Sequence, residues 1–281
     1  MASIKDKLLA IGVALAYPQV RLKPAITKEH FSGKWVLVTG ASHGIGRALT
    51  EKLIEADANV FLIARSEADL QYLCDRAKQR GNRADYCAID LRDREKLELL
   101  CQKLKETLPQ LDYFFCNAGK SIHRKITDAL DRLHDYDRTI DLNYRALVAL
   151  SLALLPALKA SKGSIIYSSS VSTCYPMAPG WSAYHASKSA ANTWCETANS
   201  EFAPLGVRVQ IAYLPLVHTA MSDVNEQYKH LPAYAPADAA NILLKLAIRK
   251  VRTYKPWWAK LSAPIAYLFA PIIHLYYKRL P

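Results

Sequence analysis

Tyr184 and Lys188 stand four positions apart in this 281-residue sequence and are the pair best suited to moving a proton. A phenol with a pKa near 10 is a poor acid–base group at neutral pH, and a nearby ammonium favours its phenolate. Spaced i, i+4 on a helix, the two side chains share one face. Alone the pair says little, because a chain with 16 tyrosines would hold such a spacing by chance as a surface contact. Its position gives it weight: Tyr184 follows Ser170, the last of Ser168-Ser169-Ser170, by 14 residues. That serine run closes an apolar strand pattern, so Ser170, with Ser169 as the weaker alternative, is placed to hold a substrate oxygen. Hydride addition to a carbonyl is the chemistry that wants such a set, since it leaves an oxyanion in need of a proton and hydrogen-bond donors.

A second cluster is built for phosphate. Thr39-Gly40-Ala41-Ser42-His43-Gly44-Ile45-Gly46 lies between the strand pattern Trp35–Thr39 and a helical pattern running to about Ala56. Small residues there let the backbone approach a pyrophosphate, and a helix N-terminus offers it unpaired N–H groups and a positive dipole. Glycines alone would fit a plain turn, but a site after a buried strand and before a helix is the context a dinucleotide requires. The next strand pattern, Val60–Ala64, ends in Arg65, where an acidic residue would bind the ribose of NAD. A guanidinium suits a 2′-phosphate instead, with His43 and Arg47 adding charge nearby. NADP(H) is therefore the expected cofactor.

The elements that must position these groups alternate from Lys34 onward. Strand patterns at Trp35–Thr39, Val60–Ala64, Ala84–Ile89, Leu111–Cys116, Ser164–Ser168, Val207–Tyr213 and Val251–Lys255 are separated by helical ones. The helices fall at Glu67–Arg80, Arg92–Thr107, Asp131–Leu158, Tyr184–Phe202 and Ala237–Arg249. This alternation predicts an α/β fold: a single doubly wound Rossmann domain over residues 31–255 with a parallel sheet of about seven strands. The strand runs are near-continuously apolar, as burial on both faces requires. Apolar helical segments are expected at both ends. Residues 1–30 read as an amphipathic segment and a proline-bearing linker, and residues 256–281 as an apolar, aromatic tail.

Composition narrows the class. With 51% hydrophobic and 22% charged residues the chain folds. A net charge of +12 favours an anionic partner. Nucleic acid is set aside, because there is no basic run of five or six residues and no helix-turn-helix or zinc spacing. That leaves a phosphorylated cofactor or substrate, or an acidic membrane surface. Six scattered cysteines without a C-x-x-C pair give neither a disulfide framework nor a metal site, and point to reduced, mostly buried thiols in a cytoplasmic setting. No metal is expected. Met1–Ala16 lacks a small-residue cleavage site and reads as a retained segment. Leu261–Tyr277 carries no Asp, Glu, Lys or Arg and is bracketed by Trp257, Trp258, Tyr276 and Tyr277, with Lys260, Lys278 and Arg279 beside them. Pro264, Pro271 and His274 interrupt a clean helix, so peripheral membrane contact is expected rather than a span. Packing on the core, on a second subunit or over the substrate cleft is the alternative.

Taken in order, Thr39-Gly-x-x-x-Gly-x-Gly46, Asp90-Leu91, Cys116-Asn-Ala-Gly119, Asn143, Ser168-Ser-Ser170 and Tyr184-x-x-x-Lys188 resemble the short-chain dehydrogenase/reductase family over about residues 33–255. The resemblance implies that Tyr184, Lys188, Ser170 and Asn143 form the catalytic set, with Asn143 supporting a water relay to the lysine. It also implies that Asp90 and Leu91 meet the adenine, that Asn117, Ala118 and Gly119 steady the sheet beside the cofactor, and that Pro215 and Thr219 cover the nicotinamide end. A homo-oligomer through the two long helices follows from the same likeness. Asn117–Arg124, Asp131–Arg138, Asn143-Tyr144 and Pro215-Leu-Val-His-Thr219, followed by Met221 and Tyr228, resemble the fatty acyl-CoA reductase branch more narrowly. Leu216 stands where the wider family usually has glycine. That branch implies NADPH-dependent reduction of a long-chain acyl thioester to an aldehyde with release of coenzyme A. Arg124 and Arg138 would be candidates for its phosphates, or plain surface ion-pair partners. Reduction of another lipid-like carbonyl, such as a sphingoid base, steroid or retinoid, needs the same catalytic residues. A catalytically idle cofactor-binding scaffold is the third reading, and the intact catalytic set argues against it.

Overall fold

The computed structural model describes residues 12–223 and 225–279. Seven parallel strands form one sheet: β1 Trp35–Thr39, β2 Asn59–Ala64, β3 Ala84–Ala88, β4 Tyr113–Cys116, β5 Ser164–Ser170, β6 Arg208–Leu214 and β7 Thr253–Tyr254. Their spatial order is β3-β2-β1-β4-β5-β6-β7. Successive strands step outward in one direction from β1 and, after β3, in the other from β4. The crevice between the carboxyl ends of β1 and β4 is therefore a topological switch point, where open α/β sheets bind ligands. The expected Rossmann architecture is the one found.

Helices cover both faces because a parallel strand pair needs a long crossover. On one side lie α2 (Gly44–Glu55), α3 (Glu67–Gln79) and α9 (Pro236–Arg249). They bury Leu49, Leu53, Leu70, Leu73, Leu243 and Ala247 against Val36, Val38, Val60 and Leu62. On the other lie α4 (Arg94–Thr107), α5 (Leu133–Ile140), α6 (Ala146–Ser161) and α7 (Ser182–Phe202). Leu97, Leu100, Leu147, Leu154 and Cys195 close that core over Leu37, Phe114, Ile165 and Ile211. A four-residue helix, α8 (Glu226–Lys229), interrupts the long excursion between β6 and α9.

Four expectations need correction. The segment read as a linker contains a helix, α1 (Pro24–Phe31), with Pro24 at the start, where its missing N–H costs nothing. Phe31 anchors it, fully buried and with its ring centroid 4.8 Å from that of Tyr113. β3 is not buried on both faces; as the edge strand beyond β2 it is half open to solvent. The long helix expected at 131–158 is two helices joined by a π-turn at Asp141–Arg145. In the tail, Pro264 lies inside α10 (Trp257–Leu268), and the break falls at Phe269, ahead of α11 (Ala270–Tyr277). Pro271 then occupies the first turn of α11, the position in a helix that tolerates it. The apolar C-terminal helices are present. The N-terminal segment is described only from residue 12, with 12–16 helical, so most of that expectation lies outside the described residues.

Candidate active site

β5 and α7 bring the proton-transfer residues together. β5 extends to Ser170, so that serine is the end of the strand rather than part of the loop after it. Its Oγ lies 2.8 Å from that of Ser172 and accepts from the Ser172 amide, which starts the tight turn Val171–Cys174. The chain returns through Gly180 into the first turn of α7, where Tyr184 stands half-buried. Burial pushes the Tyr184 phenol above its ordinary value, a hydrogen bond with Ser170 pulls it down, and Tyr228 pushes it up again. At neutral pH the hydroxyl is protonated, a donor rather than a base.

One turn on, Lys188 is 5% exposed. Its Nζ donates to the Ser168 carbonyl at 2.8 Å and lies 4.8 Å from the centroid of the Tyr167 ring. Burial lowers its pKa to about 8. Its Nζ is thus turned to the backbone of β5.

Asn143 sits in the middle of the π-turn, 1% exposed. Its Oδ1 accepts from the Lys120 amide (2.8 Å), while Nδ2 donates to the Lys120 carbonyl (2.9 Å) and to Ser187 Oγ (2.9 Å). The amide thus ties the loop following β4 to the helix carrying Tyr184. A Cβ on Gly119 would stand 3.3 Å from Asn143 Oδ1 and 3.5 Å from Lys188 Nζ, so glycine there lets both groups converge. π-turns of this kind recur at functional sites.

The phosphate-binding candidates gather at the switch point. Thr39 Oγ1 accepts from the amides of Asn117 and Ala118, both at 3.1 Å, which locks β1 to β4. Asn117 Oδ1 in turn accepts from Ser168 Oγ. Gly40 has φ +69°, and its Cβ position lies 3.0 Å from Ala118 Cα. A Cβ on Gly46 would sit 2.0 Å from the Gly40 carbonyl oxygen. Nothing larger than glycine allows this turn. Gly44, Ile45 and Gly46 form the first turn of α2, and His43 at the cap position makes no capping bond with its side chain. Their amides, which have no acceptor within the helix, keep donor capacity for an anion. Ser42 is buried with its Oγ against His43 Nδ1 at 2.8 Å.

Arg65 is exposed at the carboxyl end of β2 and, among the described residues, forms no ion pair. Arg47 and His43 approach Asp69 instead, at 3.2 and 3.8 Å. Asp90 is held by Arg92, which pulls its carboxyl below the ordinary range. Leu91 is buried in the core, so only its backbone borders the crevice. Pro215 follows β6, buried, and Thr219 lies over the glycine-rich turn, its Cγ2 3.1 Å from a Cβ on Gly44. Tyr234 and Leu216–His218 are bonded backbone to backbone, which closes the excursion after β6 into a flap. The donor set and the tightness of the turn fit a dinucleotide phosphate.

Three rings beside Tyr184 were not among the expected site residues. Trp181 stacks on Tyr228 (5.8 Å, 3° between planes) and on His123 (4.5 Å, 30°), with the Tyr184 ring edge-on to it at 6.0 Å. They come from two loops and α8, with no shared spacing, so only the fold assembles them. Arg124 pairs with Asp135 at 3.1 Å, an ion-pair partner as the alternative reading held. A cavity of about 420 Å³ lies under α10, lined among others by Thr173, Asn192, Glu196, Tyr213, Lys255 and Tyr267. None of the four proposed catalytic side chains lines it.

Residues 34–229 match the family model described as short chain dehydrogenase. The chain belongs to the short-chain dehydrogenase family. This short-chain dehydrogenase is 33% identical over 251 residues to a fatty acyl-CoA reductase of Acinetobacter baylyi, covering 89% of this chain and 84% of that protein. A fatty acyl-CoA reductase of Mycobacterium tuberculosis is 34% identical over 232 residues, covering 82% and 79%. Among solved structures, a metagenomic short-chain oxidoreductase in complex with NADP superposes with a TM-score of 0.65 at 28% identity, over 78% of this chain and 91% of that one.

Proposed function

We propose that this short-chain dehydrogenase is an NADPH-dependent reductase of a lipid-like carbonyl, and that its substrate is a long-chain fatty acyl-CoA, reduced to the aldehyde. The observation carrying the chemistry is the convergence of Ser170, at the carboxyl end of β5, with Tyr184, whose phenol it pulls down, beside the uncapped first turn of α2. The likeness to two acyl-CoA reductases over most of each chain supports the substrate.

The first turn of α2, from Gly44 to Gly46, would take the pyrophosphate on its amides, and exposed Arg65 would take the 2′-phosphate. Asp90 and the Leu91 backbone would border the adenine, Asn117, Ala118 and Gly119 would floor the crevice, and Pro215 and Thr219 would close it. When bound, NADPH supplies the hydride that turns the thioester carbonyl into an oxyanion. Ser170 Oγ holds that oxygen, and the Tyr184 hydroxyl gives it a proton, leaving a hemithioacetal. As the C–S bond breaks, the hemithioacetal hydroxyl returns its proton to the Tyr184 oxygen, and the coenzyme A thiolate departs and takes one from water. Lys188, an ammonium whose pKa burial has lowered to about 8, is the group able to pass a proton near physiological pH. Asn143 acts by position: its amide is occupied by Lys120 and Ser187, so it fixes the helix that carries Tyr184. The Trp181–Tyr228 stack gives an apolar wall beside the reacting carbon. Six unpaired cysteines suit a reducing, cytoplasmic setting.

NADPH oxidation with palmitoyl-CoA in detergent, with free thiol followed in parallel, tests both levels. One thiol released per NADPH consumed is expected, and Tyr184→Phe should cut turnover by about 10³-fold or more while NADPH still binds. NADPH consumption with a long-chain ketone or aldehyde but none with the thioester would keep the catalytic assignment and overturn the substrate. Full turnover by the Tyr184→Phe variant would overturn the catalytic assignment itself.

A further inference from the structure

The helix pair after β7 is turned inside out for a surface helix. α10 packs on the domain through its small residues: Ala259 and Ala263 are buried, with half-buried Ser262 between them. Its large apolar side chains point away. Leu261 is 64% exposed, Ile265 56%, Leu268 76%, Phe269 48%, Ile272 63% and Leu275 52%. A continuous apolar stripe of this kind on a folded domain marks a contact surface.

The geometry decides against a span. α10 and α11 meet at 79°, and arms of 12 and 8 residues reach only about 18 and 12 Å, short of the ~30 Å hydrocarbon core. Among the described residues, the helical run Leu133–Ser161, which is α5 and α6 with the π-turn between them, is long and apolar enough to cross a membrane, but it is partly buried in the domain core. Two short arms at nearly a right angle present a corner instead.

Charge says what the corner faces. No Asp or Glu follows Asp238, whereas Lys255, Lys260, Lys278 and Arg279 bracket the apolar stretch. Trp257 and Tyr276 stand exposed at its two ends, aromatic residues of the type that settle at headgroup level. Residues 12–16 arrive at the same place: the Trp257 and Trp258 indoles donate to the carbonyls of Leu15 and Ala16, at 2.9 and 3.0 Å.

We propose that the α10–α11 corner seats this protein on an anionic lipid bilayer, with Leu261, Ile265, Leu268, Phe269 and Ile272 in the acyl boundary and the flanking cations on the headgroups. The first arm is bonded to the loop that leaves Ser170. Tyr175 Oη lies 2.6 Å from Ser262 Oγ, and the Tyr267 hydroxyl donates to the Tyr175 carbonyl. Docking therefore brings the bilayer beside the Tyr175–Trp181 rim, where an acyl chain would leave the lipid phase. Seating at this corner holds for any lipid carbonyl substrate.

Sedimentation of the full chain with phosphatidylcholine vesicles, with and without about one-third phosphatidylglycerol, tests this. Binding to the anionic vesicles is expected, weakened about tenfold by Lys278→Glu/Arg279→Glu and by raised salt. Leu268→Asp/Ile272→Asp should abolish it, and because both side chains are exposed the variant should keep its melting temperature and its turnover of a water-soluble carbonyl. Equal binding to both vesicle types overturns the anionic assignment. Absence of binding, or undiminished binding by the Leu268→Asp/Ile272→Asp variant, overturns the corner as the docking surface. So does a dimer that this variant dissociates while vesicles capture neither form.

Discussion

Replacing Lys188 by methionine should inactivate the protein and make it more stable. The side chain is 5% exposed, and burial lowers its pKa from 10.5 to about 8. At 1.36 kcal/mol per pH unit, holding this ammonium charged in the fold costs about 3 kcal/mol relative to the unfolded chain. Methionine has similar length and no charge to bury. It forfeits the hydrogen bond to the Ser168 carbonyl, a loss of about 1–2 kcal/mol. The variant should therefore gain about 1–2 kcal/mol at pH 7, seen as a melting temperature higher by roughly 2–6 °C. The pH dependence isolates the cause. A folded value below the unfolded one means that the unfolded chain binds more protons between pH 8 and 10.5, so wild-type stability rises across that window. The variant lacks this rise, and its advantage should vanish toward pH 10. Thermal unfolding of both cofactor-free proteins at half-unit steps from pH 7 to 10 measures the difference. A variant less stable than wild type at pH 7, or a difference that stays constant over that range, would refute the reasoning.

Three further changes probe the scaffold. Asn143→Ala leaves the Lys120 amide and carbonyl and Ser187 Oγ without their partner in a buried site. It should cost about 2–4 kcal/mol in urea unfolding, and a loss under about 1 kcal/mol would mean that the π-turn holds without it. Gly46→Ala puts a methyl 2.0 Å from the Gly40 carbonyl, so the turn must open. NADPH affinity by titration calorimetry should fall at least about tenfold, and unchanged affinity would show that pyrophosphate does not rest there. Arg65→Glu should raise the KM for NADPH at least about tenfold and leave that for NADH level or lower. An equal rise for both cofactors would remove Arg65 from the 2′-phosphate.

How far the sequence could be read depends on whether a feature is local. The alternation of strand and helix patterns, the glycine-rich turn after Thr39 and the Tyr184–Lys188 spacing are each written within a dozen residues, and each is found where expected. Ser170 was legible by its place at the end of an apolar run. What was hidden depends on distant partners. The π-turn at Asp141–Arg145 lies in a run that reads as unbroken helix, and it coincides with an amide that reaches back 23 residues to Lys120. Trp181 and Tyr228 stack although 47 residues separate them. α1 lies in a stretch that reads as a proline-bearing linker, because what holds the helix is the burial of Phe31 against Tyr113, 82 residues away in sequence.

Lys188 shows what helical spacing leaves out. Helical spacing brings the ammonium to the face of Tyr184, and on that ground its charge should steady the phenolate. The fold adds an acceptor the spacing cannot contain, the Ser168 carbonyl on β5, and with it burial that moves the lysine itself toward neutrality. Burial likewise raises the Tyr184 phenol, and Ser170 pulls it back. A protonated phenol gives its proton to an oxyanion in one direction and regains it in the other, so the pair serves hydride transfer either way. The stability that burying Lys188 costs is thus tied to a lysine that titrates near physiological pH. If Lys188→Met proved neutral in stability and in its pH dependence, that link between burial and the lysine's titration would fail with it.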